Sequence, residues 1–125
     1  MRWNGKVKEY YDNGKLEFDG EYLNGERNGK VLEYYKNGQF LFKGKYLNGK
    51  KHGKVKEYYE NGKLKFEGEY INGEINGKGK EYYNDGNIKF EGGYLNGKRW
   101  NGKGYNKNGN ITFKLKNGKR NRRFK

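Results

Sequence analysis

Cysteine, proline, alanine and serine are missing from this chain of 125 residues, and it has one threonine, Thr112, and one histidine, His52. Each absence removes a class of chemistry. Without cysteine there is no disulfide framework, no thiolate ligand for zinc and no thiol nucleophile. Without serine, and with one threonine, a hydroxyl nucleophile activated by a histidine base has no candidates, so the chain reads as non-enzymatic. No apolar run approaches the roughly 20 residues of a membrane-spanning helix, and nothing resembles a signal peptide. A cytoplasmic or intracellular location is the expectation that follows by default. Acidic side chains are also missing from one region. All 15 lie before Lys98, where 18 basic residues nearly balance them, whereas Lys98 to Lys125 carries 11 basic residues and no acid. The formal charge of +14 thus describes a nearly neutral body with a basic end.

What is present is aromatic and repetitive. Phe, Trp and Tyr make up 18% of the chain, with 13 Tyr and 7 Phe, whereas disordered chains are poor in aromatics. Each ring contributes roughly 1.5–3 kcal/mol when fully covered. Copies of one unit begin at Gly5, Gly29, Gly53 and Gly77, 24 residues apart, and a fifth, degenerate copy begins at Gly102 after one inserted residue. A fixed period of this length marks a repeat array. The expected organisation is one domain over residues 1–125, with repeats 5–28, 29–52, 53–76 and 77–101, a capping repeat 102–118 and a basic tail 114–125. Met1-Arg2-Trp3-Asn4 resembles Lys98-Arg99-Trp100-Asn101, so the chain opens on the closing loop of a repeat, as a complete small protein or as a piece of a longer array.

Within a repeat, Asn13-Gly14 reads as a two-residue type I′ hairpin loop, because both residues tolerate positive φ. Strict pairing then sets Tyr11 against Leu16, Tyr10 against Glu17, Glu9 against Phe18, Lys8 against Asp19, Val7 against Gly20 and Lys6 against Glu21. Alternation sorts Val7, Glu9, Tyr11, Leu16, Phe18, Gly20 and Tyr22 onto one face, and Lys6, Lys8, Tyr10, Glu17, Asp19 and Glu21 onto the other. The charged face gains opposite-charge pairs, repeated as Lys54–Glu69, Lys56–Glu67 and Lys80–Glu91. The second repeat deviates: there Leu32 faces Lys43, and Lys30 faces Lys45. One hairpin is too small to be stable alone. The fold class expected is therefore all-β, a single elongated antiparallel sheet of stacked hairpins with open ends, about 10 Å per repeat. Gly20, Gly44, Gly68 and Gly92 leave room for a ring to lie on the strand. The fourth repeat reads as the start of decay toward a cap, with Gly79 and Gly93 in place of larger residues.

Phe66-Glu67-Gly68-Glu69-Tyr70-Ile71-Asn72-Gly73 followed by Asn76-Gly77-Lys78-Gly79, and Lys98-Arg99-Trp100-Asn101-Gly102-Lys103-Gly104, resemble the MORN repeat. The 24-residue spacing and the Glu-Tyr-Tyr triplet look most like the variant found in bacterial antitoxin-like and protist arrays. The resemblance covers Gly5 to about Gly118 and implies a groove-shaped sheet and a scaffold or adaptor role. It also implies protein partners along the groove, self-association through the open sheet ends, and anionic lipid as possible associations. Most copies here carry Val or Leu where the commoner pattern has a second Gly.

The candidate partner groove is the aromatic face: Tyr11, Phe18, Tyr22, Tyr35, Phe42, Tyr46, Tyr59, Phe66, Tyr70, Tyr83, Phe90 and Tyr94, with Glu9, Glu33, Glu57 and Glu81 among them. Tyr combines a large rigid ring with a polar tip, which suits interfaces; the plainer account is that these rings only cover the sheet. Unpaired burial of a carboxylate is costly, so each Glu is expected to accept hydrogen bonds from a neighbouring Tyr hydroxyl or loop amide, the alternative being an acidic stripe for a basic partner. The candidate anionic-surface site is Lys114, Lys116, Lys119, Arg120, Arg122, Arg123 and Lys125. Basic clusters attract anionic lipid at roughly 1 kcal/mol per residue, or simply block edge-to-edge aggregation. Repeated Glu on the aromatic face argues against nucleic acid, whose readers interleave stacking rings with basic residues. His52 takes the loop position of Asn28 and Asn76, and the glycine-rich loops precede strands rather than helix N-termini. No metal or cofactor is expected. The function that follows is binding or scaffolding of a protein or peptide, with attachment to anionic membrane as the alternative. Nucleic-acid binding, or a consensus scaffold without a natural ligand, comes third.

Overall fold

A computed structural model describes residues 3–121. The alternating segments form eleven strands: β1 (Gly5–Tyr10), β2 (Leu16–Leu23), β3 (Glu26–Tyr34), β4 (Phe40–Leu47), β5 (Lys50–Tyr58), β6 (Leu64–Ile71), β7 (Glu74–Tyr82), β8 (Ile88–Leu95), β9 (Lys98–Tyr105), β10 (Ile111–Lys116) and β11 (Lys119–Arg120). They make one sheet in sequence order, every described pair antiparallel. This is the expected open array of hairpins. Its last strand carries the sheet to Arg120, so Lys114, Lys116, Lys119 and Arg120 belong to β10 and β11 rather than to a tail.

The turn expected at Asn13-Gly14 is of a different kind. Gly14 N donates to Tyr11 O (2.9 Å), Tyr11 N donates to Lys15 O (2.8 Å), and of the two turn residues only Gly14 has positive φ, 84°. This is a longer loop with one residue in the left-handed region. The Asn13 amide explains the choice: Oδ1 accepts from Lys15 N (2.9 Å) while Nδ2 donates to Lys36 O of the next repeat (3.2 Å). The type I′ turn lies instead between hairpins. Asn24 and Gly25 have φ of 52° and 82°, and the pair recurs at Asn48-Gly49, Asn72-Gly73, Asn96-Gly97 and Asn117-Gly118.

The longer turn pairs Tyr10 with Leu16, one residue out of the expected register, and a bulge at Glu17 restores it. From there outward Glu9 faces Phe18, Lys8 faces Asp19, Val7 faces Gly20 and Lys6 faces Glu21, as expected. One correction follows. Leu16 shares the face of Tyr10, as the stacked Tyr34 and Phe40 rings 5.0 Å apart show for the second repeat. Between β2 and β3, β4 and β5, and β6 and β7 the register slips by two, setting Glu21 against Asn28, Gly29 and Lys30, whereas between β8 and β9 it slips by one, at Trp100. A slip of two leaves the faces unchanged.

The core is a single file on the ring face: Phe18, Val31, Phe42, Val55, Phe66, Phe90 and Tyr94. Valine and glycine alternate across the strands from Val7 to Gly68, and the Phe18, Phe42 and Phe66 rings fold over the glycine two residues on, while Phe90 lies against Gly102 and Phe113 against Gly104. At Gly68 an added Cβ would sit 2.6 Å from Phe66 Cζ and 2.9 Å from Lys78 O. The fourth repeat does not decay at Gly79. The Tyr94 ring occupies the space that a valine fills elsewhere, 5.9 Å from Phe66 and edge-on, and becomes a core residue.

Candidate functional site

A single sheet has no second layer to cover its apolar face, and here the covering comes from the array's own cations and tyrosines. Arg27 lies 4.3 Å above the Phe18 ring, Lys51 4.7 Å above Phe42, Arg99 4.7 Å above Phe90 and Arg120 4.3 Å above Phe113. Such contacts add about 0.5–2 kcal/mol each. Tyr22, Tyr46, Tyr70 and Tyr94 meet the phenylalanines edge-on at 5.6–6.1 Å.

The carboxylates on this face are engaged in the same layer. Tyr22, Tyr46, Tyr70 and Tyr94 donate to Glu9, Glu33, Glu57 and Glu81 at 3.2, 3.4, 3.4 and 2.6 Å. Arg27 pairs with Glu33 (3.3 Å) and Lys51 with Glu57 (2.8 Å). At the next position stands Ile75, which leaves Glu81 without that cation. Arg99 reaches it instead from β9, at 2.8 and 2.7 Å. Arg99 is available because Gly104, not a glutamate, pairs with Phe90 in the fifth repeat. Burial alone would raise the Glu81 pKa, but the hydrogen bonds from Arg99 and Tyr94 outweigh it and hold the carboxyl below its usual range. Tyr11, Tyr35, Tyr59 and Tyr83 each donate to a carbonyl of the next repeat, at 2.5–2.6 Å. The residues expected to form a partner groove therefore come together on one face, but as a self-covering layer. Phe18, Phe42, Phe66 and Phe90 are no more than 4% exposed. A cleft of about 260 Å³ remains between the second and third repeats, beside Tyr35, Leu41 and Lys65.

The groove lies on the opposite face. A trough of about 1330 Å³ runs from Lys6 and Asp19 to Asn101 and Lys103. Gly20, Val31, Gly44, Val55, Gly68, Gly79, Gly92 and Gly102 contribute its floor. The valine side chains belong to the core, so the floor at those points is backbone. One row on this face is in direct register across ten strands, Lys8, Asp19, Leu32, Lys43, Lys56, Glu67, Lys80, Glu91, Lys103 and Lys114, and its members from Asp19 to Lys103 line the trough. A second row holds Lys6, Glu21, Lys30, Lys45, Lys54, Glu69, Lys78 and Gly93. A margin of pairs, among them Tyr10–Leu16, Tyr34–Phe40, Tyr58–Leu64 and Tyr82–Ile88, borders the first row. Tyr82 donates to Glu67 (2.7 Å) and Tyr105 to Glu91 (2.6 Å). Burial, then the hydrogen bond to Glu67, pushes the Tyr82 phenol up to about 12.

A MORN repeat variant matches residues 3–24, 27–48 and 51–72, and the MORN repeat itself matches 66–88. The chain belongs to the MORN-repeat family. No curated protein matches it. MORN repeats are non-catalytic modules generally associated with binding and scaffolding. The matches are phased to begin at Trp3, Arg27 and Lys51, so each family unit ends within its inter-hairpin turn.

In this MORN array the basic end is part of the sheet as far as it is described. Lys114 pairs with Lys103 in register, Lys116 with Lys119, and Arg120 covers Phe113. Arg122, Arg123 and Lys125 lie outside the described residues. His52 is a strand residue of β5 opposite Lys45, not a loop residue, and its buried Nδ1 has no hydrogen-bond partner. Asn4, Asn28 and Asn101 instead accept from the turns after them, through Oδ1 to the amides of Asn24, Asn48 and Asn117. Among the described residues no group of three or more His, Asp or Glu side chains is placed to hold a metal. The trough lysines were the residues not singled out beforehand, although the Leu32–Lys43 and Lys30–Lys45 deviations were a signal for them.

Proposed function

We propose that this MORN array is a non-catalytic binding scaffold whose trough receives a segment of a partner protein. The observation that carries the reading is the trough itself: about 1330 Å³ along the sheet, on the face whose side chains the core does not use. A pocket of that volume is on the scale of known ligand sites. Its margin, where tyrosines pair with Leu16, Phe40, Leu64 and Ile88, supplies anchors, and its charged rows supply register.

The test is to pan a random peptide library against the protein and challenge the selected peptides with Gly93→Trp. Gly93 lines the trough, and an added Cβ there meets no atom within 4 Å, so the tryptophan side chain starts in open space, and circular dichroism of the variant should match the parent. Peptides should lose at least tenfold in affinity for Gly93→Trp and keep it for Lys65→Ala, on the ring-face cleft. Selected peptides that ignore Gly93→Trp, or a library that gives none, would overturn the reading.

A further inference from the structure

The trough face is not charged uniformly: within the trough both acid positions are basic in the second repeat alone, and beyond the trough's end Lys114 and Lys116 of the fifth repeat stand at the same two positions. In the first, third and fourth repeats the in-register row places a carboxylate next to lysine: Lys8–Asp19, Lys56–Glu67 and Lys80–Glu91. In the second repeat both acid positions are basic. Lys43 stands between Leu32 and Lys56, and Lys45 between Lys30 and His52. No carboxylate is directly opposite either of them. With Lys30, Lys54 and Lys56 they form five cations across β3, β4 and β5, all lining the trough.

Like charges directly opposite on a sheet are destabilising, so the Lys30–Lys45 and Lys43–Lys56 pairings weaken the array. The fold also does not require them, because Glu67 and Glu69 occupy the same two positions in the third repeat. Lys43 is held without a carboxylate: its ammonium lies 3.9 Å above Phe40 and 5.6 Å above Tyr58, a contact that keeps the charge while leaving the ammonium hydrogens for a ligand. The window is bounded on both sides. Asp19 and Glu21 precede it, and Glu67 and Glu69 follow it. Three strands span about 10 Å between the outer two, which an extended chain crosses in about three or four residues. A long polyanion, or a lipid surface, would have to lie against those carboxylates as well.

We infer that the second repeat is a docking window for a short acidic cluster in a partner protein, set between basic residues that meet Asp19 and Glu21 on one side and Glu67 and Glu69 on the other. Leu32, inside the window, offers an apolar contact at its centre. The inference rests on the trough reading above and adds the partner's chemistry and its register.

The test uses fluorescent peptides carrying a short acidic run between basic flanks, and a peptide of equal composition with the charges alternating. Lys43→Glu together with Lys45→Glu gives the second repeat the pattern of the third, and circular dichroism of that variant should match the parent. The acidic-run peptide should bind the parent at least tenfold more tightly than the alternating peptide, and lose at least tenfold on the double substitution. Glu67→Lys with Glu69→Lys, which builds a second window, should raise its stoichiometry or affinity. If the double substitution leaves binding unchanged while Gly93→Trp abolishes it, the window is wrong and the trough reading stands. If neither changes binding, both are wrong. If single-stranded oligonucleotide or phosphatidylserine vesicles bind the parent more tightly than the peptide and depend equally on Lys43 and Lys45, the partner class is wrong.

Discussion

The two faces of this sheet obey different rules. On the ring face the repeats agree: Phe18, Phe42, Phe66, Phe90 and Phe113 recur, a tyrosine or Leu115 follows each of them in the layer, and a cation covers four of the five rings. Where the ring face does vary, the variations compensate, as Ile75 and Gly104 do by bringing Arg99 onto Glu81. On the trough face the same positions hold Asp19, Lys43, Glu67 and Glu91, with no carboxylate directly opposite Lys43. The face that must cover itself repeats, and the face that is left over varies. In an array whose repeats touch only their neighbours, the first set carries the fold and the second is free to carry recognition.

Substitutions at the extremes should break this comparison most clearly. Phe66→Ala removes a ring that is 4% exposed and packed on Gly68 and Tyr94, and should cost about 3–5 kcal/mol in denaturant unfolding. If it costs under about 1 kcal/mol, the ring face is not the core. Arg99→Gln takes the cation from a partly exposed pair and should cost about 1–2 kcal/mol. It should also move the acid limb of the stability curve. The Glu81 carboxyl titrates below its unfolded value, so its contribution is present above about pH 4.5 and lost as pH falls through the lower folded value. In Arg99→Gln that loss should begin at higher pH, and identical acid limbs would sink the pairing.

Lys43→Glu sets opposite charges across β4 and β5, next to Lys56, and should change stability by no more than about 0.2–1 kcal/mol, in the stabilising direction. A large loss would mean that the lysine window belongs to the fold rather than to a partner. The smallest effect is spectroscopic. Tyr82 should ionise near pH 12, and Glu67→Gln should bring it back toward 10.0. Because its folded pKa is raised, the stability it contributes is complete below about pH 10 and is lost as pH rises toward 12. Tyrosinate absorbance followed through that interval in both proteins checks the assignment.

Much of the fold was legible because alternation and the 24-residue period act on every copy, so one pairing, Lys8 with Asp19, could be confirmed by Lys56 with Glu67 and Lys80 with Glu91. The Glu–Tyr hydrogen bonds were legible for a similar reason, since a carboxylate among rings requires a donor. The turn type was not. Asn13-Gly14 and Asn24-Gly25 are the same dipeptide, and they separate only because Asn13 reaches Lys36 in the neighbouring hairpin while both residues of Asn24-Gly25 adopt positive φ. The position of the groove was not legible either. Period-2 alternation assigns residues to two faces, and it is silent on which face curves inward.

Alternation and local charge pairing are enough to set the array, its antiparallel pairing beyond the bulge, and the division between ring and charged faces. Packing across the sheet decided three things: that the rings are covered by their own cations and tyrosines, that Arg99 of β9 serves Glu81 of β7, and that the hollow lies on the charged side. Each depends on contacts between hairpins, and between hairpins the side chains that meet are set by bulges and slips that no single repeat contains.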